Sequence, residues 1–163
     1  HRIYQKDSVG GIASFVYRTK HLKDKGNFVD FPSAWFSDDV TNFLMADEGC
    51  CMTQHTTFNV RNSDVNISGQ WGNPIDSRKK MIATYMNYDW MKTYMHRFDC
   101  GLDKEFLSTI EREYKYKVYT NVQSYIYSCY VKDFLLFLVK CPNDLGLFKP
   151  RMLAHYLRNK IKI

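Results

Sequence analysis

The rhythm of hydrophobic and polar positions changes partway along this chain. Residues 12–18, Ile-Ala-Ser-Phe-Val-Tyr-Arg, mix β-branched and aromatic side chains in partial alternation, which predicts a strand. Gly10-Gly11 before it reads as a turn, and His21 to Asn27 as a polar loop. Phe28 to Phe31 predicts a short second strand stopped by Pro32. Ser37-Asp38-Asp39 predicts a helix start, with Ser37 as cap and the aspartates at the positive helix end. Val40, Phe43 and Leu44 give that helix an apolar face, and Gly49 ends it. Residues 51–60 and 64–67 are rich in Thr, Phe, Val and Ile around Asn62-Ser63, the pattern of a β-hairpin. Ser68 to Pro74 reads as a loop carrying Trp71.

Helical spacing takes over from there. A helix capped by Asp76 or Ser77 runs to about Arg97, with Met81, Ile82, Tyr85, Met86, Trp90, Tyr94 and Met95 at apolar positions. Gly101 breaks it. Asp103 opens another helix with Phe106, Leu107, Ile110 and Tyr114 on one face. A longer helix is expected over Asn121–Lys140. It is apolar all round near Val131–Val139, the mark of a central buried helix. Pro142 and Gly146 make a turn, and Pro150 suits the first position of a final helix burying Leu153, Tyr156, Leu157 and Ile161. The expected fold class is α+β: a small N-terminal antiparallel sheet or hairpin packed on a predominantly helical C-terminal bundle. A length of 163 residues leads to the expectation of one globular domain over 1–163, with a mixed α/β part at 1–75 and a helical part at 76–163.

Charge sharpens that division. Residues 1–75 hold 7 Lys/Arg against 8 Asp/Glu, while residues 76–163 hold 16 against 9, so the net charge of +6 belongs to the helical part. A basic half implies an acidic partner, either nucleic acid or an acidic protein surface. The aromatic fraction of 16% is high and dominated by Tyr and Phe. The abundance of Asn, Lys, Tyr, Phe and Met is what an AT-rich genome produces, such as that of a virus or phage. Five cysteines, two of them adjacent as Cys50-Cys51 and two in apolar segments (Cys129 and Cys141), suit a reducing compartment, cytoplasmic or nuclear. The longest apolar run, Phe134–Val139, is far too short to span a bilayer, so no membrane partner is expected.

The chain carries no glycine-rich phosphate loop, GxSxG, HExxH, CxxC pair or EF-hand loop. Cys51-x3-His55 and His96-x3-Cys100 would supply two thiolates and two imidazoles, the ligand set of a tetrahedral zinc. Neither pair is a CxxC knuckle, and the expectation is no metal and no cofactor. His55-x-Thr57-Phe58 resembles one half of the twin signature of the 2H phosphodiesterases, in which each of two strands supplies a histidine and a hydroxyl. His1, His21, His96 and His155 lack a Ser or Thr two residues on, so the second half is missing. Cys50 or Cys51 could serve as a nucleophile beside a histidine if placed at a helix start, which nothing in the pattern demands. Asp38-Asp39 and Asp47-Glu48 read as helix-end charges rather than as an acid–base pair.

The broadest signal is cations interleaved with aromatics. Arg78, Lys79 and Lys80 open one helix. Arg112, Lys115 and Lys117 alternate with Tyr114, Tyr116 and Tyr119, and Arg151, Arg158 and Lys160 lie in a C-terminal segment whose last fifteen residues hold no acid. Lysine and arginine neutralise phosphates, and aromatic rings stack on bases. The expected function is therefore a non-catalytic nucleic-acid-binding accessory protein. Its site is Arg78, Lys79, Lys80, Arg112, Lys115, Tyr116, Lys117, Tyr119, Arg151, Arg158 and Lys160. The alternatives are a protein–protein interaction module that binds or inhibits a partner factor, and a phosphoesterase using His55.

Overall fold

The computed structural model describes residues 15–46, 49, 72–97, 103–126, 128–140 and 149–161. Six α-helices follow one another: α1 (Thr19–Asp24), α2 (Ser37–Met45), α3 (Pro74–Arg97), α4 (Lys104–Ile126), α5 (Val131–Lys140) and α6 (Lys149–Ile161), with a 3-10 turn at Pro32–Ala34 before α2. No strand occurs among the described residues, so the α+β expectation gives way to a helical bundle. The hairpin expected at 51–67 lies outside the described residues.

The reason the strand expected at 28–31 does not form is visible in its backbone donors, while residues 12–14 of the strand expected at 12–18 lie outside the described residues. The Val29 N–H donates to Thr41 Oγ1 at 3.1 Å, and the Phe31 N–H to Ser37 Oγ at 3.2 Å. Side chains of α2 therefore take the donors that a neighbouring strand would need. Residues 15–18 are extended but unpaired to a sheet. Their aromatic rings hold them instead: Phe15 stacks on Tyr17, Tyr17 meets the edge of Phe28 at 5.7 Å, and the Tyr17 hydroxyl donates to Asn42 Oδ1. β-branched and aromatic residues suit any half-buried surface, and here that surface is a helix.

α3 starts three residues earlier than its periodicity suggests. Asn73 Oδ1 accepts from the Ile75 and Asp76 N–H groups, and Pro74 occupies the first helical position, where its missing donor costs nothing. α3 is the centre of the molecule. One side packs on a cluster of Phe31, Val40 and Ala83; the other joins the main core through Met81, Tyr88 and Met91. α4 lies along that second side, burying Tyr114, Val118, Val122, Tyr125 and Ile126, with Tyr88 stacked on Tyr114 at 6.2 Å. α5 packs on α3 and α6 on α4, and the two meet where Phe134 stacks on Tyr156 at 4.3 Å.

The expected 121–140 helix is two pieces. α4 runs unbroken from Lys104 to Ile126, and the chain turns at 128–130 before α5. The Cys129 thiol is buried and donates to the Ile126 carbonyl at 3.4 Å, while the Tyr130 carbonyl accepts from both Asp133 and Phe134 N–H groups, closing one helix and opening the next. α5 is not central. Only Asp133, Phe134 and Phe137 are buried on it; Leu136 is 43% exposed and Val139 79%. On α6, Met152 and Tyr156 are buried, but Leu153 and Leu157, expected inside, face outward.

Candidate interaction surface

The expected site residues fall on three helices, and the fold treats them differently. At the start of α3, Lys80 is only 1% exposed. Its Nζ lies 4.7 Å from the centroid of the Trp35 ring, a cation–π contact made possible by the way the chain delivers that ring. Ser33, Ala34 and Phe36 all adopt left-handed backbone angles around Trp35, a conformation that costs non-glycine residues energy and needs support from packing. Trp35 in turn meets Tyr125 of α4 edge-on at 6.1 Å. Burial pulls the Lys80 ammonium below its ordinary pKa, and the carboxylate of Asp76 pushes the other way. Burial likewise raises the Tyr125 hydroxyl to about 12. Lys80 is thus a core residue and unavailable to a partner.

Arg78 is half exposed, yet its Nε sits 3.6 Å from Asp133 Oδ1, the buried carboxylate in the first turn of α5. It ties α5 to α3. Lys79, between these two, is exposed.

On α4 the cations are partly neutralised by their neighbours. Lys115 Nζ is 2.9 Å from Glu111 Oε1, one helical turn back, and Arg112 is 3.9 Å from Glu113. Tyr119 is half-buried, its hydroxyl accepting from Gln123 Nε2 at 2.8 Å. Arg112, Tyr116 and Lys117 remain exposed. Arg151 and Arg158 are exposed on α6; Lys160 belongs to that helix, but its side chain lies outside the described residues.

α5 supplies what the sequence pattern concealed. Val131, Leu135, Leu136 and Val139 are all exposed, beside the exposed Lys132 and Lys140. A helix that is apolar all round reads as buried, and only the structure separates its inner face of Phe134 and Phe137 from this outer one. Charge distribution held part of the signal: among the described residues of 128–161 the sole acid is Asp133, and it is buried.

The residues of the catalytic and metal alternatives fall mostly outside the described part of the chain. No group of three or more His, Cys, Asp or Glu there could hold a metal ion. Cys51, His55 and Cys100 lie outside the described residues, as does the His96 side chain. A broad groove of about 510 Å³ runs beside α2 and α3, lined by Phe31, Leu44, Tyr85, Met86, Trp90 and Tyr94 with Asp89 and Thr93. Asp89 is the carboxylate in that lining. No described helix is long and apolar enough to cross a membrane. No family model, curated protein or solved structure matches the chain.

Proposed function

We propose that this is a binding protein whose outward α5–α6 face holds a negatively charged macromolecular partner, most readily an acidic protein surface. One observation carries the reading. Lys132, Lys140, Arg151 and Arg158 are exposed on these two helices, and no exposed acidic side chain accompanies them among the described residues of 128–161. Exposed cations set beside exposed aliphatic chains suit a partner that is acidic and partly apolar. Phosphates need only the cations, and bases need aromatic platforms; beside α5 the exposed ring is Tyr130, with Lys132 Nζ 5.8 Å from its centroid, and the other exposed apolar chains are aliphatic.

Nucleic-acid binding stays as a second reading because Arg112, Tyr116 and Lys117 are exposed together on α4. The two are separated by charge reversal. Arg151→Glu with Arg158→Glu abolishes partner binding in the first reading, whereas Arg112→Glu with Lys117→Glu abolishes it in the second. Labelled single-stranded oligonucleotides and acidic peptides, titrated at low and moderate salt, read out both. Failure of every polyanion to bind at tens of micromolar protein would overturn both.

A further inference from the structure

The partner's shape is written on α5, and this inference rests on the acidic-partner reading above. Val131, Leu135 and Val139 recur at intervals of four, so they form one stripe along the exposed side of the helix. The stripe spans roughly 12 Å of helix axis, about two turns. Val139 at 79% exposure and Leu135 at 49% are far more open than aliphatic side chains in an occupied helix face. Lys132 borders the stripe, its Nζ 5.8 Å from the ring of the exposed Tyr130, Lys140 lies further round on the same side beyond the exposed Leu136, and the sole acid of α5 is turned inward onto Arg78.

We infer that α5 docks an acidic amphipathic helix of another protein, whose apolar stripe covers Val131, Leu135 and Val139 and whose carboxylates pair with Lys132 and Lys140. Charge complementarity selects this occupant. A second copy of the chain would bring lysines against lysines, at a cost of like-charge contact. An amphipathic helix with apolar anchors at intervals of three and four matches a stripe of this length, and acidic flanks satisfy the lysines without burying them.

The test uses the full chain and a designed peptide of about 18 residues, with leucine along one face and glutamate on both flanks. Its controls are the same composition shuffled to destroy the stripe, the same stripe with lysine flanks, a single-stranded oligonucleotide, and vesicles of phosphatidylserine and phosphatidylcholine. The glutamate-flanked peptide should bind at least roughly tenfold tighter than the shuffled and lysine-flanked ones. Leu135→Ser with Val139→Ser should remove that preference while leaving the melting transition in place, because both side chains point outward. Lys132→Glu with Lys140→Glu should invert the preference for flanking charge. Equal binding of designed and shuffled peptides, or indifference to loss of the leucine stripe, would overturn the inference. If the oligonucleotide or the vesicles bind while the peptide does not, and Arg151→Glu with Arg158→Glu abolishes that binding, the helix inference falls and the negatively charged partner remains. If no probe binds, both fall.

Discussion

α3–α4 carry nine lysines and arginines and α5–α6 six, and the two pairs use them differently. In the first pair the fold has absorbed three of them, while Lys79, Arg112 and Lys117 stay exposed. Lys80 is buried under Trp35, Arg78 holds the buried Asp133, and Lys115 pairs with Glu111. In the second pair Lys132, Lys140, Arg151 and Arg158 face outward, with exposed aliphatic chains beside them. A formal charge count treats the two regions alike. What solvent meets is the charge left over after packing, and in the proposed reading the part of it on α5 and α6 is what a partner would use. The same division applies within α5, where Phe134 is buried and Leu136, on the opposite face of the same turn, is open to solvent.

The sharpest way to break the comparison is within α5. Phe134→Ala removes a fully buried ring stacked on Tyr156 and should cost about 3–5 kcal/mol in urea denaturation, whereas Leu136→Ala should cost under about 1 kcal/mol. Comparable losses at the two sites would place α5 in the centre after all. A smaller effect is expected at Lys80. Lys80→Ala should cost about 2 kcal/mol through loss of its packed stem, while Lys80→Met keeps the volume, drops the buried charge and should be neutral or stabilising. If Lys80→Met destabilised as much as Lys80→Ala, the ammonium itself would be what holds Trp35.

The pH dependence follows from the same buried groups. Tyr125 ionises near 10 when unfolded and at about 12 when folded, so its contribution to stability is intact below pH 10 and is lost as pH rises towards 12. Tyr114, raised by burial in the same core, acts in the same direction. Lys80 runs the other way. Its folded pKa is lowered, so its burial costs least above its ordinary value of 10.5 and more as the pH falls through the lowered one. Tyrosinate absorbance should therefore show a late class that ionises together with unfolding. Stability that stays flat from pH 10 to 12 would contradict the burial of Tyr125.

How legible this was in the sequence depends on whether a signal was local. Asp103 before α4 and Pro150 in the first turn of α6 marked helix starts because capping chemistry is local. The turn at 128–130 carries no glycine or proline, so α4 and α5 ran together on pattern alone. α3 was legible as a helix ending at Arg97, but its packing on two sides was not. Its buried residues include Ser77, Lys80, Thr84 and Asn87 besides Met81, Tyr88 and Met91, which erases any single apolar stripe. The strands expected at 12–18 and 28–31 followed β-propensity, which reports half-burial rather than sheet pairing, and the donors of Val29 and Phe31 went to Thr41 and Ser37. At the candidate surface, the excess of cations was legible. Their sorting into buried and exposed was not, because Trp35 and Asp133 are distant from Lys80 and Arg78 along the chain.

That sorting is tested most directly by comparing the unfolding free energies of two double variants in urea. Arg78→Ala with Lys80→Ala removes the absorbed cations, and Arg151→Ala with Arg158→Ala removes the free ones. The first should lose about 2–4 kcal/mol and the second under about 0.5 kcal/mol, with both denaturant slopes unchanged. Equal losses, or a larger loss from the α6 pair, would contradict the division of the molecule into cations that build the fold and cations that meet a partner.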